Sequence, residues 1–101
     1  MDLSQEKWKR LLESDDNAFL LDVRTQEEFE EGHIPNATLL DIRQAASFMK
    51  EIQSMNTSKN YYVYCKSGAR SAQACQLMVQ IGINTTYNLL GGFMEWDDSS
   101  Y

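Results

Sequence analysis

The chain is predicted to fold as a three-layer α/β domain, a central parallel sheet of four to five strands with helices on both faces. Three observations predict it. The run Phe19 to Val23, "FLLDV", is apolar without alternation until its aspartate, as a strand buried on both faces requires. "YYVYC", Tyr61 to Cys65, is rich in aromatic and β-branched residues that fit a pleated surface. Segments with helical spacing of apolar residues alternate with such runs along the whole length. The 101 residues are expected to form one domain, residues 1–101, large enough for a single core.

Taken in order, Ser4 is placed to cap a first helix, with Trp8, Leu11 and Leu12 on one face. After the strand "FLLDV", Thr25 opens a second helix. "TQEE" is a capping box, with Glu28 three residues after Thr25, and its acidic first turn suits the helix dipole. Gly32 is expected to end that helix in a left-handed conformation. "ATLL", Ala37 to Leu40, is a weak strand. Ala45, Phe48, Met49 and Ile52 recur at helical spacing, and "NTSKN" after them is turn chemistry. From Ala69 to Ile81 a further helix is expected to bury Ala72, Cys75, Met78 and Val79, with Gly82 as its stop. "TTYNLL" reads as the last strand, "GG" as a tight loop and "FMEW" as a terminal helical turn in which Trp96 closes the core. The tail "DDSSY" is expected to fray.

Composition narrows the function. The formal net charge of −6 argues against nucleic acid, whose binding draws on a basic surface, and against an anionic membrane face. No apolar stretch is long enough to span a bilayer, and the N-terminus lacks the pattern of a secretory signal, so the expected location is cytoplasmic. Two cysteines and one histidine make neither a disulfide framework nor a metal pattern; no metal and no cofactor are expected.

In an open parallel α/β sheet, ligands bind at the carboxyl ends of the strands. That rule places Asp22 and Arg24, Cys65 to Arg70, and Gly91–Gly92 on one rim. The loop "CKSGAR" runs from a strand into a helix N-terminus, where backbone N–H groups lack intrahelical partners and the dipole is positive. Gly68 lets the backbone curl so that these groups point inward, and Arg70 is expected to close the ring with a fixed charge. Such surroundings lower a thiol pKa and yield a nucleophile without a general base. The alternative is a packed cysteine at a strand end.

The chain resembles the rhodanese family of sulfurtransferases in three ordered segments. These are "LLDVRTQEEFEEGHIPNA", "YYVYCKSGARS" and "LLGGFMEW", which together span about residue 18 to residue 96. The resemblance implies a rhodanese-like fold with five parallel strands, the first squeezed into the residues before Ser4 and so short or missing. It also implies thiosulfate sulfurtransferase-like enzyme activity. Cys65 would take a sulfur from a donor such as thiosulfate, carry it as a persulfide and pass it to cyanide or a thiol. Lys66, Ser67, Gly68, Ala69, Arg70 and Ser71 would bind the substrate: their N–H groups hold the anionic sulfur, while Lys66 and Arg70 attract and orient the donor. The expected partner is a small anionic sulfur donor, with a sulfur-relay protein also compatible.

Two other readings compete. Phosphatases and arsenate reductases of related fold carry five residues between cysteine and arginine, whereas Lys66, Ser67, Gly68 and Ala69 are only four. Tyr64 stands where phosphatase loops typically have histidine. A non-catalytic binding or regulatory module usually lacks the cysteine or distorts the loop, and here both are intact. Around the loop, Asp22 is expected to accept from loop N–H groups or to pair with Arg24, and Arg24 to pair with Asp22 or the acidic helix; both are read as support. His33 falls in a "GHIP" turn and reads as structural. Cys75 reads as core, not as a resolving thiol.

Overall fold

A computed structural model describes residues 1–97; the expectation of a frayed tail lies, from residue 98 on, outside the described residues. Five strands alternate with four helices: β1 (Asp2–Leu3), α1 (Gln5–Ser14), β2 (Ala18–Asp22), α2 (Gln26–Glu31), β3 (Thr38–Leu39), α3 (Ala45–Gln53), β4 (Asn60–Tyr64), α4 (Ala69–Gln80) and β5 (Thr85–Leu89). A 3-10 turn, Phe93–Glu95, follows. The strand order is β1-β5-β4-β2-β3, and every pairing is parallel. Among the described residues the sheet therefore has five strands, with the first held to two residues before Ser4.

Strand alternation divides the core. Tyr61, Val63 and Cys65 share one face with Leu21 and Val23, packed against Phe48 and Ile52 of α3 and Ala74, Cys75 and Met78 of α4. Tyr62 and Tyr64 point the other way, joining Leu3, Leu20, Leu89 and Trp8 of α1. Because both faces are covered, β2 and β4 need no polar side, which is why their sequences show no alternation. Trp8 has no exposed surface; it meets Tyr62, Tyr64 and Trp96 edge-on at centroid distances of 5.9, 6.2 and 5.7 Å. Lys9 beside it is also buried, its amine 4.4 Å from the Trp96 ring centre and donating to the Asp97 carbonyl.

The helix boundaries follow their capping chemistry. Ser4 accepts from Lys7 N–H at the start of α1, and the reciprocal Thr25–Glu28 capping box opens α2. Three expectations are corrected. Leu11 is 40% exposed, leaving Trp8 and Leu12 to make the apolar face of α1. Gly32 ends α2 at φ 153° and ψ 140°, a positive φ that L side chains rarely adopt but outside the left-handed helical basin. On α4 the buried residues are Ser71, Ala74, Cys75 and Met78, while Ala72 and Val79 face solvent. Placing Ser71 inward rotates the helix relative to its most apolar stripe, and the site explains why.

Candidate active site

The carboxyl ends of β2, β4 and β5 form one rim, and the cysteine loop leaves β4 at its centre. The register sets Asp22 opposite Tyr64, so Val23 and Cys65 emerge side by side. Asp22, Arg24 and the Cys65–Ser71 loop are gathered there, as expected.

The loop curls back on its own sulfur. Gly68 caps α4 at φ 104°, a conformation that L side chains rarely adopt, and its N–H donates to Cys65 Sγ at 3.1 Å. Ser71 Oγ, one turn into α4, lies 3.3 Å from the same sulfur. Burial pushes the Cys65 thiol pKa up, but the Ser71 hydroxyl and the N–H groups of Ser71, Gly68 and Ser67 outweigh it, and the net direction is down. Cys65 has no exposed surface, while Lys66, Ser67 and Ala69 form the solvent side of the loop. Cys75, by contrast, packs in the core and burial pushes its thiol up; neither cysteine is in a disulfide.

Ser71 is buried because it serves the sulfur, and it is anchored from β5. Its hydroxyl also contacts Asn88 Oδ1, and Asn88 Nδ2 donates to Asp2 Oδ1 at 3.0 Å and to the Gly68 carbonyl at 3.2 Å. Asn88 went unnoticed in the sequence, where the one signal was an amide in the otherwise apolar end of "TTYNLL".

Behind the loop, the segment after β5 acts as a brace. Phe93 N–H donates to the Cys65 carbonyl at 2.8 Å and Met94 N–H to the Lys66 carbonyl at 3.0 Å. Gly92 packs so closely that a Cβ there would sit 2.7 Å from the Cys65 carbonyl oxygen and closer still to that of Lys66.

Asp22 pairs with Arg24, the second of the two arrangements expected of it. Asp22 accepts from no loop N–H group; it takes the Arg24 backbone N–H at 3.0 Å and Arg24 Nη2 at 2.7 Å. Arg24 also donates to the Gly32 carbonyl at 2.7 Å and lies 4.5 Å from the Phe93 ring centre, tying β2 to the "GHIP" turn and the brace. Burial pulls the Arg24 pKa down, and Asp22 more than reverses it. His33 stacks on Phe29 at 3.7 Å, and its Nδ1 lies 2.9 Å from the Phe29 carbonyl, in keeping with a structural role.

Arg70 differs most from expectation. Expected to close the ring and orient the donor, it has Nη1 and Nη2 donating to Glu28 Oε1 and Oε2 at 2.8 and 3.0 Å. The Arg70 hydrogen bond leads in holding the Glu28 carboxyl down at about 2. Beside this pair a cleft of about 200 Å³ is lined by Arg24, Glu28, Glu31, Gly32, Lys66, Phe93 and Met94. Among the described residues no cluster of metal-ligating side chains occurs, and no helix is long and apolar enough to cross a membrane.

Comparison with known proteins agrees with this geometry. The family model for the rhodanese-like domain matches residues 4–99. A sulfurtransferase of Allochromatium vinosum is 34% identical over 95 residues, covering 94% of this chain and 86% of its own. The thiosulfate sulfurtransferase GlpE of Coxiella burnetii is 33% identical, covering 90% and 80% respectively. A rhodanese-like domain protein of Staphylococcus aureus superposes with a TM-score of 0.81 at 30% identity, over 98% of this chain and 93% of that one. In two longer relatives from Bacillus subtilis the chain spans 60% and 50% of the length.

Proposed function

The chain belongs to the rhodanese-like family, and from that premise we propose that it is a sulfurtransferase working through a persulfide on Cys65. The observation that carries this reading is the cradle itself, a thiol met by Gly68 N–H and the Ser71 hydroxyl at the start of α4. The lowered thiol pKa supplies thiolate without a base. That thiolate attacks the outer sulfur of a donor such as thiosulfate. The S–S bond of the donor breaks, its electron pair leaves with sulfite, and Cys65 holds the transferred sulfur as a persulfide anion. Cyanide or a thiolate then attacks the outer sulfur and the Cys65 thiolate returns, so no external oxidant or reductant is needed.

Each loop residue has a part in this reading. The N–H groups of Ser67, Gly68 and Ser71 stabilise anionic sulfur, an electrostatic effect worth about 2–4 kcal/mol per donor in comparable sites. Lys66 faces solvent and meets one negative charge of the donor. Ala69 leaves the loop mouth open. Arg70 holds α2 against the loop through Glu28.

The test is an intact-mass spectrum after incubation with thiosulfate. Wild type is expected to gain one sulfur, removable by cyanide, and Cys65→Ser to gain none while remaining folded. An equal adduct on both would show that Cys65 is not the acceptor of the sulfur.

A further inference from the structure

We propose that Glu28 sets the charge of the donor the site accepts, admitting singly charged persulfides and thiosulfonates in preference to the thiosulfate dianion. This rests on the sulfur-transfer reading and deepens it. Glu28 occupies both terminal nitrogens of Arg70, the loop's fixed cation. Its carboxylate is no loose counter-ion that a substrate displaces, because Oε1 also accepts from Thr25 N–H at 3.0 Å and from Thr25 Oγ1 at 3.1 Å. Swinging it away would break the return half of the α2 capping box as well as the ion pair.

The surroundings do not restore a positive field. The cleft beside the pair is walled by Glu28 and Glu31 along with Arg24 and Lys66. Arg24 is already matched by Asp22. The cations Arg24, Lys66 and Arg70 thus stand against the carboxylates of Asp22, Glu28 and Glu31. A second negative charge on a donor approaching the loop past this pair gains nothing from so balanced a set of charges and meets the Glu28 carboxylate beside Arg70.

The size of the effect follows from Coulomb's law. At a water-like dielectric, a carboxylate about 6 Å away disfavours each unit of negative charge about threefold, hence a dianion about tenfold. Glu28→Gln removes that charge and still offers an oxygen to Thr25, since glutamine also completes a capping box. The experiment compares kcat/KM for thiosulfate and for methanethiosulfonate, which presents the same transferable sulfur with one charge fewer, using cyanide as acceptor. In Glu28→Gln, thiosulfate is expected to gain about tenfold and methanethiosulfonate about threefold. Equal changes for the two donors, or none, overturn the proposal.

A wild-type measurement keeps the claim exposed if the variant folds poorly. With Arg70 neutralised, thiosulfate turnover does not fall as salt is added; a steep fall would show a cationic receptor and overturn the proposal. The two readings fail differently. If neither donor loads Cys65, sulfur transfer itself is lost and this proposal with it; if both load without charge discrimination, only the role of Glu28 is lost.

Discussion

At Cys65 the sulfur competes with an amide for one hydroxyl proton. Ser71 Oγ contacts both Cys65 Sγ and Asn88 Oδ1, and Asn88 cannot turn its amide around because Nδ2 already serves Asp2 and Gly68. Removing the hydroxyl should therefore raise the thiol pKa. Ser71→Ala is expected to move the midpoint of iodoacetamide alkylation up by about one unit. The sign follows from the thiolate being the reactive form: alkylation quickens as pH climbs through the Cys65 pKa, so a higher pKa shifts the whole profile to higher pH. An unmoved midpoint would leave the sulfur to the backbone N–H groups alone. At this scale the sequence was readable where the chemistry is local. "CKSGARS" places thiol, glycine and hydroxyl within seven residues. Glu28 was legible only as a cap, because Thr25 is three residues away while Arg70 is 42. Nothing local in either segment announces such a pair.

The helices and connecting loops show the same division between local and distant causes. Both predicted N-caps form, since a cap is decided by its own few residues. The phase of α4 was misjudged because hydrophobicity ranked Ala72 and Val79 above Ser71, whereas the sulfur needs Ser71 inside. The glycine pair after β5 was read as a tight loop and is also the brace behind Cys65. Gly92 at φ 60° has no space for a side chain against the Cys65 and Lys66 carbonyls. Gly92→Ala must push on backbone, so the loop itself has to move. Sulfur transfer is expected to fall at least tenfold, with about 1–3 kcal/mol lost in urea unfolding. Wild-type activity in that variant would mean the brace yields without disturbing the cradle.

For the molecule as a whole, a parallel sheet covered on both faces was legible from strands alternating with helices and from the unalternating apolar run of β2. The fifth strand followed only from the family resemblance, because the two residues of β1 carry no strand signal of their own. The two core clusters differ in kind: the face against α3 and α4 is mainly aliphatic and sulfur-bearing, while the other is built around Trp8 and two tyrosines. Trp8→Ala should cost about 3–5 kcal/mol, a large part of the stability of a domain this size. A loss below about 1 kcal/mol in urea titration would show that the aromatic face is dispensable. Strand order adds a consequence for how the chain is made. β5, the last strand synthesised, is inserted between β1, the first, and β4. Until Thr85–Leu89 leaves the ribosome, β1 has no neighbour to pair with, and the aromatic edge of β4 on that side stays open. The nascent polypeptide thus carries its cysteine for some twenty residues of elongation before Asn88 and the glycine brace arrive to close around it. During that interval the thiol belongs to an incomplete sheet with an exposed edge, the state in which intermolecular strand pairing competes with folding.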